Sequence, residues 1–305
     1  MKRIENVTII GVGLIGGSFA LALKQADFKG KITGCDNAAA LREAGAFGAL
    51  DYSNEDAVAA VRCAELVVLA APVKTNVEIL AKIATLVPAE ALITDVGSTK
   101  AEIVARALQI FGGDSLRRFL PGHPMAGREV SGVGHADPEL FRGAPWVLTP
   151  QGGRHALIAP EFSRGMHREF IEILESIGAR VVITTPEKHD RVLAFTSHLP
   201  QLVSTALATT VESELGGKPE LRDLSGRGLR EMIRLAKSDP QLWSEITESN
   251  GKNVREALSA MERNLAKLRE SLSTADFQRL FEQGRRLDPD ADATEVENTD
   301  PPNFG

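Results

Sequence analysis

Residues 6–18 read NVTIIGVGLIGGS, an apolar run that ends in three spaced glycines and leads into a helical pattern. The apolar run predicts a buried strand, and the residues after Gly16 predict a helix. In such a strand–turn–helix unit Gly11 allows a tight turn, Gly13 lets a ligand approach the backbone, and Gly16 lets the helix pack on the sheet. The N-terminus of that helix would then stabilise a phosphate group.

The second predicted strand ends at Asp36, 20 residues after Gly16. This separation is typical of the acid that accepts hydrogen bonds from the ribose hydroxyls of a dinucleotide. A carboxylate here would repel a 2'-phosphate, so the sequence favours NAD over NADP. A glycine-rich turn with a purely structural role is the alternative. The expected cofactor-binding residues belong to the turn, to the second strand and to the end of AELVVLAAP: Gly11, Val12, Gly13, Leu14, Ile15, Gly16, Asp36, Ala71, Pro72 and Val73.

Short apolar strands alternate with helical patterns over residues 1–185. The alternation predicts a doubly wound parallel sheet of the Rossmann type, an α/β fold with helices on both faces. The strand signal then stops, and residues 186–283 predict an all-helical domain. Residues 284–305 predict a disordered acidic tail.

A long helix is predicted from about Gln241 to Leu272, and its apolar residues step by 4, 3, 4, 3 and 4 positions. This heptad spacing fits packing against the chain's own helices and equally a seam between two copies of the chain. The residues of the seam are Val254, Leu258, Met261, Leu265, Leu268 and Leu272.

The charge distribution excludes one class of partner. The net charge is −6, and the stretch from Leu287 onward has six acidic residues and no Lys or Arg, so the rest of the chain is near neutral. Nucleic acid is therefore not an expected partner. Cys35 and Cys63 form no CxxC motif, which fits a reducing cytoplasm.

Membrane and metal-binding classes lack sequence support as well. The start of the chain is similar to a signal peptide, but Glu5 and Asn6 interrupt its apolar region. No apolar run approaches the roughly 20 residues of a membrane helix. The histidines show no HExxH-like spacing, so no metal site is expected.

His123 lies in the stretch PGHPMAG, after an apolar run that predicts a strand ending at Leu120. Ser98 follows another predicted strand, in DVGSTK. Because ligands of parallel sheets bind at the carboxyl ends of the strands, both side chains are expected beside the dinucleotide. The alternatives are a histidine in a structural turn and a serine that caps the next helix. Thr99 and Glu102 have the spacing of a capping box for that helix.

The helical half contains a second group of polar residues. Ser197, His198 and Gln201 surround Pro200 in an otherwise apolar helical pattern. His198 and Gln201 share a face of the helix because they are three residues apart. The alternative for His198 is a histidine that bonds backbone groups freed at a kink beside Pro200.

A stripe of three arginines follows, Arg227, Arg230 and Arg234, with Glu231 placed to pair with the first and the last. Most such stripes are solvated faces with weak ion pairs. Trp243 by itself predicts a core or interface residue.

Five motifs, GVGLIGGS, DVGSTK, GHPMAG, SHLPQ and RLAKSDPQLW, occur in an order and at separations that resemble the prephenate dehydrogenase family, including its relatives that act on arogenate. The resemblance extends over about residues 5–275, and GHPMAG combined with SHLPQ is its most specific part. It implies a NAD-binding Rossmann domain and a helical domain that forms a homodimer. It also implies NAD-dependent oxidative decarboxylation of prephenate to 4-hydroxyphenylpyruvate, in the tyrosine biosynthesis of the cytoplasm.

The resemblance further implies roles for individual residues. His123 would bond the ring hydroxyl of the substrate, Ser98 would support both, and Arg234 would hold a substrate carboxylate. The remaining expected substrate-binding residues are Ser197, His198, Gln201, Gly228 and Trp243.

One position departs from the pattern of the family. Many prephenate-preferring members have a second histidine where this chain has Gln201, whose amide cannot become cationic. The choice between prephenate and arogenate therefore stays open. No chorismate mutase segment precedes Met1 and the stretch after Leu272 is short, so a monofunctional form is expected. The alternatives are a β-hydroxyacid dehydrogenase or imine reductase of similar build and a non-catalytic NAD(H)-sensing protein.

Overall fold

The computed structural model describes residues 4–127, 130–153 and 165–288. Within these residues, eight strands form one sheet in the order β3-β2-β1-β4-β5-β6-β7-β8. The order reverses between β1 and β4, and ligands of doubly wound sheets bind at such a reversal. The strands are β1 (Asn6–Ile10), β2 (Lys31–Cys35), β3 (Tyr52–Asn54), β4 (Leu66–Leu69), β5 (Leu92–Asp95), β6 (Phe119–Pro124), β7 (Pro145–Leu148) and β8 (Arg180–Ile183).

Helices cover the sheet and form the rest of the chain. In the first half they are α1 (Leu14–Gln25), α2 (Ala38–Ala46), α3 (Ala57–Ala60), α4 (Val73–Ile83), α5 (Ala101–Phe111), α6 (Ser115–Arg118) and α7 (Met166–Ser176). In the second half they are α8 (Pro186–Leu193), α9 (Leu199–Leu215), α10 (Pro219–Leu224), α11 (Arg227–Met232), α12 (Pro240–Ser249), α13 (Gly251–Ser271) and α14 (Ala275–Gly284).

The sheet is parallel except at one pair of strands. The sequence predicted a parallel sheet and gave no sign of an antiparallel pair, but β7 runs antiparallel to β6, with His123 opposite Val147. The described residues between these strands form only a short 3-10 helix, Val133–His135, and no crossover helix. A strand that returns without a crossover helix runs antiparallel, which explains the difference. The short strand β3 was also missed.

Apolar side chains on the two faces of the sheet form two separate cores. On β4, Leu66 and Val68 belong to one core, while Val67 and Leu69 belong to the other. This division follows because successive side chains of a strand point to opposite faces. Both faces are therefore covered, as expected for a doubly wound sheet.

Two predicted helices are interrupted in the structure. The helix expected from Gln241 to Leu272 is broken at Asn250 into α12 and α13. Asn250 is buried, and its side chain donates to the carbonyl of Asp190. Between α8 and α9, residues Ala194–His198 form a π-helical turn. Proline has no N–H and its ring clashes with the carbonyl four residues earlier, so the wider turn accommodates Pro200.

The chain divides into two compact units, Met1–Arg255 and Glu256–Gly305. The first contains the sheet and the helices up to α12, and the second contains most of α13 together with α14. No described helix combines the length and the apolar character that crossing a bilayer requires. Residues 289–305, most of the predicted tail, lie outside the described residues.

A buried ion pair joins the end of β5 to the start of α5. Lys100 Nζ contacts the Asp95 carboxylate and donates to the Gly122 carbonyl at 2.7 Å. Asp95 also accepts from the N–H of Gly97 at 2.9 Å. Burial opposes both charges, because it raises the pKa of Asp95 and lowers that of Lys100. The pair fixes the DVGSTK loop against β6.

We expect Lys100→Met to lower the free energy of unfolding by about 3–5 kcal/mol, because it leaves the Asp95 charge buried without its partner. Urea denaturation measures the change. Lys74→Met is the control, since Lys74 forms an exposed ion pair with Glu248 and its loss should have little effect. Equal stability of the two variants would contradict the role assigned to Lys100.

Candidate active site

The glycine turn after β1 has the geometry that a dinucleotide requires. Gly11 has a φ of +97°, and a Cβ there would lie 2.5 Å from the backbone of Ala70. A Cβ on Gly16 would lie 2.0 Å from the Gly11 carbonyl oxygen. A Cβ on Gly13 would meet nothing within 4 Å. The protein itself therefore requires Gly11 and Gly16, whereas Gly13 leaves open space that a pyrophosphate can approach.

Among the described residues, no side chain caps the helix that follows the turn. Gly13 is the N-cap of α1 and has no side chain to cap its first N–H groups, so these can bind a phosphate. Leu14, which is buried, and Ile15, which is half-buried, form the start of this helix.

Asp36 stands at the tip of β2 and is fixed by backbone donors. Its Oδ2 accepts from the N–H of Val12 at 2.8 Å and its Oδ1 accepts from the N–H of Asn37 at 2.7 Å. The carboxylate is thus tied to the glycine turn and remains half-buried. Burial beside Asp36 raises the pKa of the Cys35 thiol to about 11, so Cys35 stays protonated and unreactive at neutral pH.

The third part of the predicted cofactor site follows β4, next to β1 in the sheet. Pro72 is the N-cap of α4, which begins at Val73. The N–H of Ala71 donates to Asn76 Oδ1 at 3.1 Å, and Asn76 Nδ2 donates back to the Ala71 carbonyl at 2.8 Å. Asn76 is fully buried and shapes this loop, yet it was missed from the sequence because a lone asparagine in a helix gives no periodic signal.

His123 lies inside a strand, contrary to the turn expected from its neighbouring prolines and glycines. Strand β6 continues to Pro124, where β7 pairs with it. Ser98 is half-buried in the loop after β5, which is the other neighbour of β6. Both residues thus lie at the carboxyl ends of adjacent strands, on the edge that also holds the glycine turn.

The capping box predicted from Thr99 and Glu102 is wrong. Thr99 Oγ1 lies 2.9 Å from Ser249 Oγ, and no side chain of α5 caps its own helix. Asp190 does so from α8, because its carboxylate accepts from the N–H groups of Lys100 and Ala101 at 2.8 Å each.

The same aspartate begins a line of buried polar groups that reaches His123. Asp190 Oδ1 lies 2.8 Å from His189 Nδ1, and His189 Nε2 lies 2.9 Å from His123 Nδ1. His189 and Asp190 are each 2% exposed. Sequence reasoning missed both, because an adjacent His-Asp pair in a helix is not distinctive and its partner lies 66 residues away.

His198 lies on the other side of Asp190. Asn250 Nδ2 donates to the Asp190 carbonyl at 2.7 Å and lies 3.3 Å from His198 Nδ1. The Trp243 ring packs edge-on against His198 at 5.9 Å between centroids. The partner of His198 is thus a side chain rather than backbone freed beside Pro200. Burial lowers the pKa of His198 to about 4, so it is neutral at pH 7.

Gln201 makes its contacts with the segment that includes Arg234. Its Nε2 donates to the Leu235 carbonyl at 2.7 Å and its Oε1 accepts from Ser238 Oγ at 3.2 Å. Arg234 begins the 3-10 turn Arg234–Lys237 and is exposed. The buried amide of Gln201 therefore holds the backbone of this turn.

The remaining predicted residues lie nearer the surface. Ser197 is half-buried in the π-helical turn, and Gly228 is exposed in α11. Arg227 pairs with Glu231 at 2.6 Å on an exposed face, as the stripe of charges predicted.

The electrostatic surroundings of His123 favour its neutral form. Burial, followed by the proximity of His189, Lys100 and His198, holds its pKa well below the usual range. A neutral imidazole at the carboxyl edge of the sheet can accept a proton from a bound alcohol.

Comparison with known families agrees with this geometry. Residues 19–183 match the model of the prephenate dehydrogenase nucleotide-binding domain, and residues 185–285 match that of the prephenate dehydrogenase dimerization domain. The chain belongs to the prephenate dehydrogenase family. It is therefore a NAD-dependent oxidoreductase, and the family match does not favour the β-hydroxyacid dehydrogenase, imine reductase or sensor alternatives.

Relatives of this prephenate dehydrogenase family member extend over most of its length. The prephenate dehydrogenase of Lactococcus lactis is 32% identical over 304 residues, which cover 98% of this chain and 80% of the relative. The cyclohexadienyl dehydrogenase of Zymomonas mobilis is 31% identical, with 92% of this chain and 93% of the relative covered. The structure of the Aquifex aeolicus prephenate dehydrogenase with hydroxyphenyl propionate and NAD+ has a TM-score of 0.80 and 33% identity, with 93% and 96% coverage.

We expect Gly13→Ala to fold normally but to bind NAD about tenfold more weakly, a loss of ~1.4 kcal/mol, because the new methyl group occupies the space that the phosphates approach. NAD titration followed by protein fluorescence measures the dissociation constant. Gly45→Ala in α2 is the control, since a Cβ there also meets nothing within 4 Å. An unchanged dissociation constant in Gly13→Ala would mean that NAD does not approach this turn.

Proposed function

We propose that the protein oxidises and decarboxylates prephenate to 4-hydroxyphenylpyruvate with NAD, as a step of tyrosine biosynthesis, and that arogenate is a second substrate. The observation that supports this most directly is a buried, neutral His123 at the edge of the sheet that also presents the glycine turn. The chemistry of prephenate needs such a base beside a hydride acceptor.

The proposed reaction begins at the ring carbinol of the substrate. When bound, NAD supplies the hydride acceptor for this carbon. His123 accepts the hydroxyl proton as the carbon–oxygen double bond forms. The ring carboxylate then leaves as CO2, driven by aromatisation, and its bonding electrons enter the ring. The chain therefore has to place, orient and deprotonate the substrate, without a metal or a covalent nucleophile.

The other predicted residues are proposed to place the substrate. Ser98, in the loop after β5, would support the ring hydroxyl. Arg234 would hold a carboxylate through two parallel hydrogen bonds. The pocket of the helical half would be formed by Ser197, His198, Gly228 and Trp243.

Gln201 supports a broad substrate choice. Its amide is uncharged and is occupied by Leu235 and Ser238. We therefore propose that Gln201 does not discriminate a keto acid from an amino acid. We propose instead that it positions the turn of Arg234. The name of the cyclohexadienyl relative from Zymomonas mobilis is consistent with action on both prephenate and arogenate.

We also propose a homodimer formed by the C-terminal helices, and a helical domain over residues 186–283. The match of residues 185–285 to a dimerization domain supports both. Within the seam, Leu265 is 52% exposed and Leu272 is 66% exposed in the single chain, which is unusual for heptad leucines without a partner. A cytoplasmic location stays a prediction.

The proposed activity is tested by measuring the absorbance of NADH as it forms, first with prephenate and then with arogenate as the substrate. We expect NADH to form with both substrates, and we expect less reduced cofactor to form when NADP replaces NAD. Absence of NADH formation with both substrates would contradict the proposal.

We expect His123→Asn to reduce turnover by about a hundredfold or more, because the variant lacks a general base. Steady-state kinetics gives the turnover number, and the affinity for NAD should be unchanged. Near-normal turnover would remove the proposed role of His123.

We expect Arg234→Ala to raise the Michaelis constant for prephenate by at least about tenfold, because a carboxylate loses its bidentate partner. The Michaelis constant for NAD should not change. Arg227→Ala is the matched control, since it removes an exposed arginine that pairs with Glu231. Equal kinetics of the two variants would contradict the assignment of Arg234.

We expect the protein to have twice the chain mass of 32.8 kDa in light scattering. The double substitution Leu265→Glu and Leu272→Glu should produce a monomer, because charges would enter the apolar seam. Leu287→Glu, at an exposed leucine outside the seam, is the control. A monomeric unaltered protein would overturn the proposed dimer.

A further inference from the structure

We propose that His189 and Asp190 are positioning residues that fix the tautomer of His123 and share the proton it accepts. The inference rests on the proposed function, in which His123 is the base. Three side chains contact one another in succession: Asp190 lies 2.8 Å from His189, and His189 lies 2.9 Å from His123, measured between the paired atoms. Each is buried.

The direction of each hydrogen bond follows from the outer end of the line. Both oxygens of the Asp190 carboxylate accept backbone N–H groups from the start of α5, so this carboxylate faces donors. An ionised carboxylate has no proton to donate, and His189 Nδ1 must therefore carry one. In neutral His189 the other nitrogen, Nε2, is then an acceptor. His123 Nδ1 donates to it, which leaves the lone pair on His123 Nε2.

This assignment defines what happens to the proton. The substrate hydroxyl loses its proton to His123 Nε2 while the hydride leaves the carbinol carbon that carries this hydroxyl. His123 can then pass its Nδ1 proton to His189 Nε2, and the resulting imidazolium remains bonded to Asp190. After CO2 leaves, the electron pair returns to the ring oxygen, which takes the proton back through the same line. We call Asp190, His189 and His123 together the relay. The relay holds one proton during the reaction and releases none.

His198 differs from His123 in the tautomer that its hydrogen-bond partner selects. It is also buried, but its Nδ1 faces the amide of Asn250 rather than a carboxylate. That amide donates, so His198 presents an N–H at Nε2. Two histidines of one site thus have opposite tautomers because their partners differ.

The charged and titratable groups around His123 come from three elements. His189 and Asp190 lie on α8, Lys100 lies at the start of α5, and His198 lies in the π-helical turn. Lys100 disfavours a proton on His123. In the proposed relay, the Asp190 carboxylate opposes this effect through its contact with His189.

NMR of the protein labelled with 15N in its histidines tests the tautomer without substrate or NAD. We expect His123 to have a protonated Nδ1 and an unprotonated Nε2, and His189 to have a protonated Nδ1. In Asp190→Asn both histidines should become mixtures of tautomers. The opposite tautomer for His123 in the unaltered protein would overturn the proposal.

Kinetics tests the shared proton. His189→Gln keeps an acceptor for His123 but cannot take a proton, so we expect kcat to fall about tenfold, whereas His189→Leu should lower it about a hundredfold. The Michaelis constant for NAD should not change. His167→Gln is the control, because His167 is equally buried and bonds the Leu116 carbonyl. It should leave kcat unchanged.

The pH profile separates the relay from a structural role. Asp190→Asn should move the acidic limb of the kcat/KM profile to lower pH as well as lower its plateau, because the base becomes weaker. A lower plateau with an unshifted limb would overturn the relay. If His123→Asn is inactive while both His189 variants match the unaltered enzyme, the relay alone fails. If the unaltered enzyme oxidises neither substrate, the proposed function fails.

Discussion

The site depends on the hydrogen bonds that the carboxylate of Asp190 accepts. This carboxylate accepts the first N–H groups of α5, and so determines where the helix after the Ser98 loop begins. The carboxylate also bonds His189. The backbone carbonyl of Asp190 accepts from the side chain of Asn250, the residue before α13. One residue of the helical half therefore orders the edge of the sheet and the helices facing it. An unpaired carboxylate at this depth would be costly, which makes the whole set of contacts mutually dependent.

Burial explains why His123 and His198 are neutral. His123 and His198 both have lowered pKa values, chiefly because they are removed from water. The proposed role of His123 requires this neutral form, because an imidazole that is already protonated could not accept the hydroxyl proton. The nearby pair of Lys100 and Asp95 belongs to the same polar cluster, and it ties the loop of Ser98 to β6.

The cofactor side of the site is built from backbone geometry. Close packing of Gly11 and Gly16 shapes the turn, while the open face of Gly13 and the donors of α1 are left for a ligand. Because β4 is the neighbour of β1, the loop after β4 lies beside the glycine turn. Asn76 orders this loop through its hydrogen bond with Ala71. The sheet then continues through β5 to β6, which sets His123 on the same edge.

The sequence by itself determined the features that depend on neighbours a few residues apart. The glycine spacing, the alternation of strands and helices, and His123 with its flanking motif could all be recognised, and they led to the correct family. Tertiary structure alone decided the partners of His123, because Asp190 and Lys100 meet across 90 residues and His189 and His123 across 66. It also decided where the long predicted helix breaks, at Asn250, and that β7 runs antiparallel to β6. Local periodicity reports which face of an element is buried, but the identity of the group that faces it depends on how distant elements pack.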